Sequence, residues 1–171
     1  KSRVGFLAEP VPIADSAAQD RTISIWHLEV APGSTPPTVQ YRPIAKFDRP
    51  SETVFKSQLE LVNAYADLRS DRATEILQQL APPTPFLAML SFFRPDEKRW
   101  TAELLAAVLD LVSHVHLRIK HGLACRRPIE FSPQVQPIIL TPGHGSLPSG
   151  HATEAFAMAL TFWLLLRDAG A

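Results

Sequence analysis

Two stretches of the chain hold residue types suited to binding an anion and moving a proton beside it. The first is KHGLACRRP, Lys120 to Pro128, and the second is LTPGHGSLPSGHATEAFAMAL, Leu140 to Leu160. In the second, Pro148 and Ser149 stand just ahead of an apolar run of helical character, which places Gly150 and His151 at a helix start. First-turn amides lack intrahelical acceptors and carry the positive end of the helix dipole, and a glycine there lets a ligand approach the backbone closely. Such a terminus is an anion site by construction. Lys120 adds a point charge, and Arg127, seven residues later, adds a planar fork that suits a tetrahedral oxyanion. His151 is able to give or take a proton near neutral pH.

The elements that must position these residues read as helices. Lys98 to about Ile119 is the longest candidate, and Trp100, Leu104, Leu105, Val108, Leu111, Val112, Val115 and Ile119 cover more than one of its faces. A helix that apolar is expected to be central, with Lys120 at its basic C-terminal end. Ala152 to Arg167 is a second, strongly apolar helix with the marks of burial. The Pro-rich loop between the two has both ends fixed in the core, which favours a functional loop over a mere connection. Upstream, Val54, Phe55, Leu59, Val62, Tyr65 and Leu68 fall near helical spacing from Ser51 onward. Arg72 to Leu80 reads as a shorter helix, and PPTPFLAMLSFF as a Pro-punctuated helical turn or two. The first fifty residues place six prolines before Pro50, with TISIWHLEV as one short strand or extended segment. The expected fold class is therefore all-α: a helical bundle over residues 51–171 carrying the oxyanion site, and an extended, Pro-rich wrapping segment over residues 1–50.

Composition bounds the partners. A chain of 171 residues is one domain's worth and long enough to bury a core, and 46% apolar with 20% charged residues is a globular composition. Lys+Arg and Asp+Glu balance at 17 each, so no overall basic field argues for nucleic acid or an anionic membrane. The longest helix-compatible apolar run near the end, Ala155 to Leu166, is about half of the roughly 20 residues that span a bilayer. Cys125 is alone, so neither a disulfide framework nor a Cys-based zinc site can be built within the chain. The N-terminal KSRVGFLAEPVPIAD has no apolar stretch long enough for a signal peptide and is compatible with a mature start after cleavage, as in a secreted or periplasmic protein. The compartment stays open.

KHGLACRRP fits the pattern K-x-x-x-x-x-x-R-P, and PSGH follows it in the right order, each motif at a helix end. In these two motifs the chain resembles the superfamily that unites type-2 phosphatidic acid phosphatases, bacterial non-specific acid phosphatases and vanadium-dependent haloperoxidases. The resemblance implies that Lys120 and Arg127 bind the equatorial oxygens of phosphate or vanadate. It implies that Ser149 and the Gly150 amide hydrogen-bond another oxygen, and that His151 is the acid-base residue. Arg126 is out of the motif's register. The implied fold is an all-α bundle with the site at one end.

The superfamily also carries a third signature, S-R-x-x-x-x-x-H-x-x-x-D, whose arginine completes the cage and whose histidine is the phosphatase nucleophile or the vanadate ligand. The sequence has no such motif after PSGH, and Ala171 follows His151 by only twenty residues. Ser2 and Arg3 meet Glu9 where the histidine belongs, and Arg21 with His27 lacks the flanking serine and aspartate. The expectation is a piece of a longer chain, the rest of the site being supplied by a further C-terminal segment or a second chain. No vanadium ligand is expected within this chain itself.

Three functions are compatible with these residues. PSGHAT, the absence of a membrane span and the long segment ahead of the first signature favour a haloperoxidase that uses vanadate as cofactor and peroxide as oxidant for halide. A phosphomonoesterase of the same superfamily, needing no cofactor, is the alternative, with a small oxyanion or phosphoester as ligand in either case. A non-catalytic phosphate-binding module is the third. Other residues have plainer readings. His144 is a solvated loop residue or a supporting contact, and His114 and His116 point to different sides of one helix and so do not pair on a metal. Cys125 is a buried small side chain, and Phe92, Phe93, Trp100, Phe162 and Trp163 are core or interface.

Overall fold

The computed structural model describes residues 6–8, 21–31, 33, 35–91 and 93–169. Its elements are β1 (Phe6–Ala8), β2 (Thr22–Val30), β3 (Val39–Asp48), α1 (Glu52–Ser57), α2 (Leu59–Ala66), α3 (Arg69–Gln78), α4 (Thr84–Ser91), α5 (Arg99–Leu123) and α6 (Gly150–Asp168), with a short 3-10 turn at Pro128–Glu130. The expected all-α class is thus corrected: the chain is mixed, with an antiparallel sheet in the order β1-β2-β3. TISIWHLEV is a full nine-residue strand, and the Pro-containing VQYRPIAKFD pairs along its whole length from Thr22↔Asp48 to Val30↔Val39. Prolines read as breaking regular structure are absorbed because β3 is an edge strand. Pro43 pairs opposite Trp26 where the register shifts between Ile25 and Trp26, and an edge or a bulge is where a residue without an N–H is tolerated.

The sheet has a definite task. Ile23 of β2 forms a buried cluster with Ile119, Leu123 and Cys125, and Ile25, Phe47, Phe55, Val115 and Leu147 pack against it. That cluster grips the C-terminal end of α5, the part of the helix that carries Lys120. Gly122 permits the fit, since a Cβ there would lie 1.9 Å from Ile23 Cδ1.

At its other end α5 packs on α6. Leu105 and Met158 are buried with Phe93, flanked by Leu87, Ala88, Ala102, Leu109 and Phe162, and Phe93 meets Phe162 edge-on at 5.9 Å. Contacts pairing late α5 with early α6, and early α5 with late α6, make the two helices antiparallel. The expectation of a buried final helix needs correcting as well. Met158 is the buried residue of α6, while Phe156, Leu160, Trp163, Leu164 and Leu166 are exposed. Trp100 and Trp163 likewise face outward, each under an arginine, Arg99 and Arg167, whereas Phe92 lies outside the described residues. Among the described residues no helix is long and apolar enough to cross a membrane.

Candidate functional site

The antiparallel packing brings the end of α5 and the start of α6 together, and the segment 124–149 closes the space between them. Ala124 makes the sharp exit from α5 in the left-handed region at φ 46°, its N–H donating to the Lys120 carbonyl at 2.9 Å, a C-cap geometry for which a non-glycine residue costs about 1 kcal/mol. The chain then returns beside its own exit. Ser146 donates from its amide to the Cys125 carbonyl at 3.0 Å and from its hydroxyl to the Arg126 carbonyl at 2.8 Å. Gly145 lies so close that a Cβ there would sit 2.8 Å from the Lys120 carbonyl oxygen.

Lys120, Arg127, Ser149, Gly150 and His151 all line one cavity of about 780 Å3. Lys120 is 3% exposed, and among the described residues its ammonium donates to the carbonyls of Gly145 and Ser146, at 3.3 and 3.4 Å. Burial pushes its pKa below the ordinary lysine value, and the charge of Arg127 adds to this; Glu154 and Cys125 oppose it. Arg127 is held through its Nε, which donates to the His144 carbonyl at 2.9 Å, and through Nη2, 3.0 Å from His144 Nδ1. Since a guanidinium only donates, His144 Nδ1 accepts this bond in the tautomer protonated at Nε2; the same nitrogen lies 3.1 Å from the Gly145 carbonyl, to which it would donate in the other tautomer. His144 is therefore the residue that aims Arg127, the supporting role and not the solvated one. Arg126, by contrast, turns outward to Glu52 at 3.7 Å.

Gly150 is the first residue of α6, and the Ser149 hydroxyl caps it by accepting from the Ala152 amide at 3.3 Å. The hydroxyl proton remains available to an anion, beside the unpaired amides of the first turn. His151 donates from Nε2 to the carbonyl of Gln79 at 2.7 Å, because a carbonyl only accepts. That bond leaves Nδ1 as the ring nitrogen for proton exchange. Gln79 caps the end of α3, and Arg69 at the start of the same helix donates to the Gln136 carbonyl, so α3 braces the far wall at both ends.

Several members of the site were not singled out from the sequence. Glu154 accepts from His116 Nε2 at 2.9 Å and from the Ser113 hydroxyl at 3.0 Å. Burial pushes its carboxyl pKa up, but these two hydrogen bonds, with the charges of His116 and His151, outweigh it and hold the carboxyl below the ordinary glutamate value. His116 is 5% exposed with Nδ1 unpartnered, and its ring lies 3.3 Å from where a Cβ on residue 150 would be. A side chain at residue 150 would thus press on the ring beneath it, which must give by a few tenths of an ångström to admit one. A signal for this group was present: Ser113, His116 and Lys120 share one helix face, and Glu154 stands one turn after His151. Nothing in the sequence pointed to Arg69 or Gln79. His114 is exposed, on the side of α5 away from His116. Cys125 is buried, which raises its thiol pKa. Among the described residues no group of three or more His, Cys, Asp or Glu side chains is placed to hold a metal ion.

Much of the remaining wall is apolar, including Val62, Tyr65 and Ala66 of α2 and Val135, Ile138, Ile139 and Leu140 of the connecting segment, interrupted by Asn63, Gln134, Gln136 and Thr141. The arrangement suits an oxyanion at the α6 terminus, met by one ammonium, one guanidinium and one hydroxyl, with an imidazole alongside. Comparison with family models, curated proteins and solved structures finds no match for the chain, so the site is read from its own geometry.

Proposed function

We propose that the chain carries the oxyanion site of a vanadate-dependent haloperoxidase-like enzyme, one that uses peroxide to oxidise halide. The supporting observation is the meeting of Lys120, Arg127, Ser149, Gly150 and His151 in one cavity, five positions that also match the two superfamily signatures. The donors fit a tetrahedral oxyanion: an ammonium and a guanidinium neutralise its charge, and the first-turn amides of α6 add directed hydrogen bonds. Vanadate, when bound, supplies the Lewis acidity that activates peroxide. The chain's own residues would bind and orient it, Lys120 and Arg127 holding its oxygens and His151 exchanging protons through Nδ1. The histidine that would hold the metal and the arginine that would complete the cage are not in this sequence, and in this reading a further segment or a second chain supplies them.

One observation favours a second reading, an acid phosphatase of the same superfamily. A cavity of about 780 Å3 with long apolar walls exceeds what vanadate and a halide need and suits the organic group of a phosphomonoester. The full-length protein loaded with orthovanadate, given peroxide and bromide, is expected to brominate an activated carbon acid, and to lose most turnover in His151→Ala while still binding vanadate. Hydrolysis of an aryl phosphate, inhibited by vanadate and without bromination, would install the phosphatase. Phosphate binding with neither activity would leave a binding module.

A further inference from the structure

The oxyanion site holds one acidic side chain where a ligand's negative charge is expected. Among the described residues lining the cavity, Glu154 is the single carboxylate, against Lys120, Arg127 and Arg69 as cations and His116, His144 and His151 as imidazoles. It is not a loosely held surface acid. Ser113 and His116, both from α5, donate to its Oε1, and it stands one turn along α6 from His151, on the same side of the helix.

A buried ammonium beside a guanidinium is costly to keep charged unless an anion compensates it, yet among the described residues Lys120 donates to two carbonyls, at long distance. The Cys125 thiol is neutral because burial raises its pKa, His144 is turned to Arg127, and Arg69 brings a further positive charge. Among the described residues lining the cavity, the remaining source of negative charge for Lys120 is Glu154.

We propose that Glu154, resting on the oxyanion reading above, is a positioning residue that acts as the resident counter-charge of the site: it keeps Lys120 protonated while the site is empty and competes with the anion that fills it. The role is electrostatic, so it predicts two effects of opposite sign. Removing the charge makes Lys120 easier to deprotonate, which weakens anion binding on the alkaline side. It also removes a repulsion, which strengthens binding where Lys120 is fully charged. Hydrogen bonds from His116 and Ser113 hold the Glu154 carboxyl below the ordinary glutamate value, so it is charged at neutral pH, and burial lowers Lys120 from the ordinary lysine value.

The test uses sulfate, whose charge is constant between about pH 6 and pH 10, with calorimetry on the full chain and NMR of the Lys120 side chain. Glu154→Gln, which keeps an oxygen for Ser113 and His116, is expected to bind sulfate roughly threefold to tenfold more tightly at the acid end, while its alkaline loss of affinity moves to lower pH. The Lys120 titration, followed without sulfate, moves the same way, and Glu154→Asp behaves like the unmutated chain. Binding weakened equally at every pH, or an unmoved Lys120 titration, overturns the proposal. Should Glu154→Gln not fold, the carboxyl carbon of Glu154 in the unmutated chain must titrate at higher pH with sulfate than without it, by reciprocity of coupled binding; an unmoved midpoint overturns the proposal. A chain that binds no sulfate, yet whose Lys120 titration responds to Glu154→Gln, refutes the oxyanion reading and leaves the counter-charge standing.

Discussion

The two ends of the α5–α6 pair are built in opposite ways. Where the end of α5 meets the start of α6, the polar residues are the covered ones: Lys120 is 3% and His116 5% exposed, and a returning loop, a sheet and the braces on α3 surround them. Where the start of α5 meets the end of α6, several large apolar residues are bare, with Trp100 at 78%, Leu160 at 57% and Trp163 at 55% exposure. Hydrophobic burial alone would arrange these the other way. The difference shows where the fold concentrates its constraints. The buried ammonium is met by the carbonyls of Gly145 and Ser146, with Gly145 closely fitted against α5, while the opposite end rests on Phe93, Leu105 and Met158 with their flanking side chains.

The largest expected effect lies within the polar end. Arg127→Ala should weaken sulfate or phosphate binding by roughly 2–3 kcal/mol, about 30- to 160-fold in Kd, because a charged partner is lost from a partly desolvated site. Arg126→Ala, removing a side chain turned toward Glu52, should change Kd by less than about threefold, as a surface ion pair contributes little. Calorimetric titration of both variants decides this, and equal losses would mean that Arg126, not Arg127 alone, serves the anion.

A smaller effect probes the tight fit of the same end. Gly145→Ala places a methyl 2.8 Å from the Lys120 carbonyl oxygen and 3.2 Å from that of Cys125, neither of which can move without shifting α5 or its cap. A loss of about 1–3 kcal/mol in urea unfolding is expected, with sulfate affinity falling in parallel because Gly145 also accepts from Lys120. Unchanged stability would show that this end is not tightly constrained.

The smallest effect is expected at the bare end. Leu160→Gln and Leu166→Gln should each change the stability of the chain by less than about 0.5 kcal/mol, the range of surface substitutions, measured in the same urea series. A loss above about 2 kcal/mol would break the comparison, since it is the size expected when a buried apolar side chain is truncated.

How much of this was legible beforehand differs by kind of information. Local chemistry was readable. A serine, a glycine and a histidine ahead of an apolar run specify a capped helix start wherever that helix packs, and the observed helix begins at Gly150 with Ser149 as its cap. The long helix was readable too, because its apolar residues recur at helical spacing, and so was the strand TISIWHLEV, because alternation is a property of adjacent residues. The partner strand was hidden: Pro43 reads as a breaker until its edge position and the bulge beside it at Ile44, which the register skips between Ala45 and Pro43, supply the place for it.

By itself, then, the sequence determined the residue types that can meet an anion and the helix terminus that presents them, since propensity, capping and periodicity act within a few residues. Only the tertiary structure decided that Lys120 is buried with two carbonyls for company, that Arg127 rather than Arg126 turns inward under His144, that Gln79 selects the tautomer of His151, and that Glu154 stands among the cations. Each of these joins residues far apart in the chain, and no local pattern encodes which distant carbonyl or carboxylate the packing will bring within reach.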